Sequence, residues 1–214
     1  MNFSNIYDLF QQDVDYQSLL QPILPLLKKD EVILDASCGS GHILSYLITL
    51  GYRTIGIDND ESMLELAHKK MGTYNLSSNL FLHDLRQPLN HKFHQIISLL
   101  DVFHYFKGVK GVIKNLYNAL YDGGKLIIDL YNGPQNEIES GTFLDMNYHW
   151  QTTTSMQRLI HRITIKKGDI TYSYVIKQYL YPVEYYINQL EAAGFKTNLF
   201  KGFDDRKVYV LCTK

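Results

Sequence analysis

Short apolar runs recur along the first two thirds of the chain, at residues 32–36 (VILDA), 52–58, 79–84, 94–101 and 125–130. Runs of this length, rich in Ile and Leu and bounded by small or polar residues, read as buried β-strands. Between them the apolar positions change period. HILSYLITL (42–50) repeats as a helix does and stops at Gly51, a residue suited to the position after a helix end. ESMLELAHKKM (61–71) follows Asn59 and Asp60, either of which can cap it, and 112–120 places Val112, Ile113, Leu116 and Leu120 on one side. Strand alternates with helix over 31–133, which predicts a parallel sheet covered on both faces.

The pattern differs on either side of this region. Residues 1–30 read as a helical lead-in interrupted by Pro22 and Pro25, and Tyr121-Asp122-Gly123-Gly124 reads as a turn ahead of the fifth strand. Beyond 133, RLIHRITIK and ITYSYVIKQYLY flank Lys167-Gly168-Asp169, the signature of an antiparallel hairpin. PVEYYINQLEAAG (182–194) is a helix opened by Pro182 and closed by Gly194, and 197–200 and 207–212 are two last strands. The expected organisation is one domain: lead-in 1–30, core 31–133, an antiparallel β insert at 134–186, and the end of the core sheet at 187–214.

Composition narrows the function classes. Of 214 residues, 45% are apolar and 20% charged, which excludes a disordered or collagenous chain. Twenty-one basic and 22 acidic residues leave a net charge of −1, so bulk attraction to nucleic acid is not expected. Two cysteines, Cys38 and Cys212, make no disulfide framework. The first residues lack the basic and apolar parts of a secretory signal, and no apolar run is long enough to span a membrane, so a cytoplasmic location is expected. Tyrosine is abundant, with 17 among 28 aromatic residues, and seven of those 17 fall within 134–186.

The first strand runs into Asp35-Ala36-Ser37-Cys38-Gly39-Ser40-Gly41, where small residues let the backbone turn sharply and approach a ligand. Ligands of open α/β sheets lie at the carboxyl ends of the strands. A dinucleotide fingerprint needs a third glycine where Leu44 stands. Asp35, moreover, would repel a pyrophosphate and suits a cationic ligand. Asp58, 23 residues on, can accept from both hydroxyls of a ribose, and Asp84 ends the third strand, where it can accept from an adenine amine or cap a local turn.

Taken together, these stretches resemble the class I S-adenosylmethionine-dependent methyltransferases. VILDASCGSG resembles the family's first motif, IGIDND with SMLELA its second, HDL its adenine-side motif, IISLLDVFHYF the fourth-strand motif, DGGKLIIDL the fifth-strand region and LEAAGF the last helix. The likeness covers 31–133 and 182–214, and Ser37 stands where the family has its first glycine. It implies a Rossmann-like α/β fold: a mostly parallel seven-stranded sheet with an antiparallel last strand, plus the small antiparallel insert. It also implies S-adenosyl-L-methionine as cofactor. By this resemblance Asp35 and the Ala36–Gly39 backbone (Ala36, Ser37, Cys38, Gly39) hold the methionine end. Asp58 holds the ribose, Asn59 and Met63 flank the adenine, Asp84 and Leu85 bind its edge, and Leu100 lies under the sulfonium. Tyr7 and Tyr16 in the lead-in either close over the cofactor or simply pack.

The implied reaction is an in-line methyl transfer to a small organic acceptor. His104 is the candidate general base, with a packing role as its alternative. Tyr105 and Tyr131 at the sheet edge, and Tyr148 and Trp150 in the insert, are candidate acceptor-pocket residues. No metal is expected: His91-x-x-His94 lies in a polar loop without further ligands. Two other functions stay open. One is an RNA-modifying methyltransferase, because five basic residues face three acidic ones over 187–214. The other is a non-catalytic cofactor-binding module. The insert's tyrosines could also form a homodimer contact.

Overall fold

The structure, a computed structural model, describes residues 3–73 and 79–214. Its core is a seven-stranded sheet built from β1 (Ile33–Ala36), β2 (Thr54–Asp58), β3 (Asn79–Leu82), β4 (Phe93–Ser98), β5 (Leu120–Tyr131), β10 (Lys196–Lys201) and β11 (Lys207–Thr213), in the order β10-β11-β5-β4-β1-β2-β3. β11 is antiparallel to both of its neighbours and the other pairs are parallel. The order reverses beside β1, so the crevice at the carboxyl ends of β1 and β4 is where a ligand is expected.

Helices α3 (His42–Thr49), α4 (Glu61–Thr73), α5 (Lys110–Asn118) and α6 (Val183–Ala192) cover the sheet. Their apolar stripes feed two packed layers. One holds Leu34, Ile96, Ile113, Leu116, Ile128 and Tyr186, and the other Leu20, Ile23, Ile33, Leu47, Ile97 and Ile127. Ile33 and Leu34 are adjacent yet belong to opposite layers, because successive strand side chains point to opposite faces. The strand is therefore apolar throughout, as a strand covered on both sides must be.

A second sheet of four antiparallel strands stands beside the crevice: β6 (Glu137–Phe143), β7 (Met146–Ser155), β8 (Arg158–Lys167) and β9 (Ile170–Tyr179). Its inner face carries Met146, Ile163 and Ile165. Helix α1 (Phe3–Gln11) covers them with Ile6, Phe3 and Phe10. α1 is tied to the core as well, through Ser4 to Ser62 (2.6 Å) and through Asp8 to Lys70 (2.7 Å) and His42 (2.8 Å). It thus bridges the two sheets. A short helix α2 (Tyr16–Leu20), capped by the Asp15 carboxylate on the Ser18 amide, completes the lead-in.

The elements follow the sequence pattern with three differences. The hairpin around Gly168 is part of four strands rather than two, because the polar stretch 137–143 also pairs. Tyr121–Gly124 is no free turn but an irregular stretch inside β5. The register with β4 slips there, and the backbone of Gly123 and Gly124 pairs with Lys214. The fourth strand ends at Ser98, and Leu100 and Asp101 follow with φ of 65° and 70°, a left-handed turn at the edge of the crevice.

Candidate functional site: two adjoining cavities

The loop after β1 is set by strand ends and tight backbone. Ser37 and Cys38 both donate to the Ile57 carbonyl (2.8 and 2.9 Å), and Ser37 takes φ 77°, a conformation glycine would adopt without strain. Gly41 begins α3 at φ 79°, and a Cβ there would lie 3.0 Å from that of Ala67, so glycine lets α3 approach α4. Asp58 at the end of β2 accepts from the Gly39 amide (2.8 Å) and the Asp60 amide (2.9 Å), and so fixes the loop as well as facing the crevice.

These elements wall a cavity of 410 Å³. Asp35 lies at its base, 2% exposed, with Oδ2 unpartnered. Burial, and next the Asp58 carboxylate, push Asp35 up to about 8. Ser37, Cys38, Gly39, Asn59, Met63, Leu85 and Leu100 also line this cavity, together with Tyr7 and Tyr16 from the lead-in. Tyr16 stacks on His42 with centroids 5.4 Å apart and donates to Gln11. Asp84 lines the far end, where Arg86 pairs with it and holds it below the ordinary carboxylate value. Ala36 does not belong to this set. Its side chain is fully buried in the core layer and lines neither cavity, because it points away from the crevice.

A second cavity, of 440 Å³, adjoins the first. Tyr7, Gln11, Leu99, Leu100 and Tyr105 line both, so the two meet at the exit of β4. Its outer wall is the second sheet, with Tyr148 and Trp150, and its floor is the tips of β4, β5 and β11. On that floor Lys207 sits 2.6 Å from Asp101 and 3.0 Å from Asp129, and Tyr131 donates to Asp101 (2.9 Å). Burial would raise Asp101, but Lys207 outweighs it and holds the carboxyl low. Burial leaves Asp129 raised despite Lys207, and the two carboxylates together hold Lys207 well above the ordinary lysine value. Asp101, Asp129, Lys207, His161 and Gln178 are missing from the sequence-derived set. The position of Asp101 right after the fourth strand was the one signal that pointed to any of them.

The candidate base His104 is corrected by its surroundings. It is fully buried and lines neither cavity. Its Nε2 accepts from the Tyr131 amide (3.1 Å), so the proton is on Nδ1, which donates to the Tyr179 carbonyl (2.9 Å). Tyr186 lies 3.0 Å from the same nitrogen. Burial lowers its pKa, and no lone pair is left to take a proton from an acceptor. It joins β5, β9 and α6, which is the packing alternative.

Comparison with known proteins agrees with this geometry. Residues 34–126 match the family model described as a methyltransferase domain. These residues form a methyltransferase domain. The chain is 27% identical over 212 residues to the putative methyltransferase YqeM of Bacillus subtilis, covering 91% of this chain and 85% of that protein. Among solved structures it is similar to an S-adenosylmethionine-dependent methyltransferase from Clostridium acetobutylicum (TM-score 0.81, 21% identity, 99% and 97% of the two chains). It is also similar to CalS10 from Micromonospora echinaspora, an amino pentose methyltransferase solved with its cofactor bound (TM-score 0.79, 16% identity, 100% and 98%). The enzyme has no helix among the described residues long and apolar enough to cross a membrane.

Four of the five basic residues over 187–214 that suggested RNA have acidic or carbonyl partners, Lys201 and Arg206 at the surface and Lys207 and Lys214 inside, while Lys196 is exposed. Lys201 pairs with Asp205, Arg206 with Asp204 and Glu137, and Lys207 with Asp101 and Asp129, while Lys214 donates to the Tyr117 and Leu120 carbonyls. The tyrosines considered for a dimer contact are also engaged. Tyr148, Tyr172 and Tyr174 pack with α1, and Tyr185 and Tyr186 lie on α6 against the core.

Proposed function

We propose that the enzyme transfers a methyl group from S-adenosylmethionine, held in the cavity of Asp35 and Asp58, to a small organic acceptor held in the second cavity. One observation carries the reading: two cavities of small-molecule size abut at Tyr7, Leu100 and Tyr105, and one of them has a buried carboxylate oxygen, Asp35 Oδ2, without a partner. An orphaned buried acceptor is costly unless a donor reaches it, and the ammonium of the cofactor's methionine end is such a donor. The open space over Gly39, where a Cβ would meet nothing within 4 Å, leaves room for the same group. The residues therefore fit the cofactor. Asp35 would hold its ammonium, Asp58 its ribose, Asn59 and Met63 the flanks of its adenine, and Asp84 and Leu85 the adenine edge.

When bound, S-adenosylmethionine supplies an electrophilic methyl group on a sulfonium. The rest falls to the chain. Leu100 and Tyr105 set the boundary between the cavities, so an acceptor pressed against them would reach the methyl group of a bound cofactor from the side of the second cavity. Tyr7 and Tyr131, with Tyr148 and Trp150 from the second sheet, wall the acceptor in. Alignment of this kind supplies roughly 7–11 kcal/mol of a barrier in favourable cases. Aromatic faces beside a sulfonium add cation–π attraction. CalS10, a structural relative, is an amino pentose methyltransferase and so acts on a small molecule.

Calorimetry with S-adenosylhomocysteine tests the cofactor half of the reading. The native enzyme is expected to bind it, and Asp58→Ala to lose measurable binding. Unchanged affinity in that variant removes Asp58 from the site.

A further inference from the structure

The walls of the second cavity carry a charge that the whole chain does not. On the floor, one lysine serves two carboxylates, since Lys207 lies between Asp101 and Asp129. At the rim, Arg206 serves two more, Asp204 and Glu137. Two further carboxylates, Asp13 and Glu139, line the cavity with no ion-pair partner among the described residues. His161 adds no positive charge. Its Nδ1 accepts from the Trp150 indole (3.2 Å), so it is the neutral tautomer that donates to Gln178 (3.0 Å). Carboxylates therefore outnumber cations six to two around this space, in a chain whose net charge is −1. Between the acids stand aromatic rings: Tyr7, Phe10, Tyr105, Tyr131, Tyr148 and Trp150.

Resting on the function proposed above, we propose that the acceptor is a small amine, drawn in as its ammonium ion and methylated on nitrogen. An excess of carboxylates focuses a negative potential in a cleft and raises the local concentration of cations while repelling anions. Aromatic faces bind ammonium groups by the attraction of a cation to the ring quadrupole. An acidic acceptor would meet both disadvantages. A hydroxyl acceptor holds its proton far more tightly than an ammonium does and would need a base to become nucleophilic, and neither His104 nor His161 has a ring nitrogen free to act as one.

An amine needs no such base. The ammonium gives one proton to water at the open mouth of the cavity and becomes nucleophilic. Its lone pair then forms the N–C bond while the electron pair of the C–S bond goes to sulfur. The positive charge that was on sulfur ends on the methylated nitrogen, so it moves within the same carboxylate field and is never lost from it. The product is itself an ammonium ion and dissociates in that form.

The test measures labelled methyl transfer by the full chain to matched pairs, each an amine and its hydroxyl counterpart: glucosamine and glucose, tyramine and tyrosol, putrescine and butane-1,4-diol. Binding of S-adenosylhomocysteine is followed in parallel by calorimetry. The expected result is binding of the homocysteine product, label in amines at least tenfold above their hydroxyl partners, and a kcat/KM that climbs with pH toward the amine's own pKa. The double variant Asp13→Asn, Glu139→Gln is expected to raise the amine KM about tenfold at low salt, and by less at high salt, with kcat little changed. If S-adenosylhomocysteine binds but label enters the hydroxyl compounds, or neither class, the amine assignment is overturned and the methyl-transfer reading stands. If S-adenosylhomocysteine does not bind, the underlying reading falls, and the acceptor assignment with it.

Discussion

Burial and the nearby Asp58 push Asp35 up to about 8, so in the unliganded enzyme near pH 6 only about one molecule in a hundred carries the charge there. A cofactor ammonium pairs with the carboxylate form, so binding must first remove a proton from Asp35. Affinity for S-adenosylhomocysteine is therefore expected to fall about tenfold per pH unit as the solution is acidified below the folded-state value. Between pH 7.5 and 5.5 that is about a hundredfold, or roughly 2.7 kcal/mol. Close to one proton should be released per ligand bound near pH 6. Calorimetry in buffers of different ionisation heat counts that proton directly. Asp35→Asn keeps the size of the group and removes its titration, so its weaker binding should be flat over the same range. The same shift has a consequence for stability. The folded enzyme binds this proton more tightly than the unfolded chain, so the contribution of Asp35 to unliganded stability is greatest below the ordinary carboxylate value. It should decline by up to about 1.4 kcal/mol per unit as pH rises from there toward 8, and saturating ligand should reduce the decline. A native affinity that is constant from pH 5.5 to 7.5, with no proton released, would refute the placement of the ammonium on Asp35.

Three further outcomes follow from the geometry. Lys207→Met leaves Asp101 and Asp129 buried without their cation and should cost about 3–5 kcal/mol in denaturant unfolding, whereas a loss under 1 kcal/mol would mean that water replaces the lysine. His104→Ala should lower stability by roughly 2–4 kcal/mol, because the Tyr131 amide loses its acceptor and a packed ring is removed, while kcat below the new melting point falls less than about tenfold. A loss of 10²–10⁴ in kcat would restore it as a general base. Asp8→Asn weakens the tie of α1 to Lys70 and His42, and since Tyr7 on α1 lines both cavities, S-adenosylhomocysteine should leave several times faster in stopped-flow measurements. An unchanged dissociation rate would mean that α1 does not gate the cavity.

Local pattern made much of this molecule legible. Strands of four to six residues between periodic helices announce a doubly covered sheet, and Asp35, Asp58 and Asp84 stand at successive strand ends, where the crevice of such a sheet lies. Residues within a few positions of a motif could be read because the backbone alone places them. The floor of the second cavity could not. Asp101, Asp129 and Lys207 come from three chain segments, and Lys207 meets the acids only because β11 pairs antiparallel with β5, setting Lys207 opposite Tyr131. Read along the chain, Lys207 looks like part of a basic surface, whereas in space it is the counter-ion of two buried acids. His104 misleads for the same reason: its place after the fourth strand suggested chemistry, but Tyr179 and Tyr186, far along the sequence, both meet its Nδ1, and the Tyr131 amide occupies Nε2. The β5 irregularity escaped because Gly123 and Gly124 have a turn's composition, and their partner is Lys214 at the other end of the chain.

A crystal structure of the enzyme with S-adenosylhomocysteine tests the central claim most directly. The ligand ammonium is expected on Asp35, the ribose on Asp58, and the sulfur at the boundary formed by Leu100 and Tyr105, facing the cavity of Tyr131 and Trp150. A ligand bound with its sulfur turned away from that cavity, or bound elsewhere on the sheet, would contradict it.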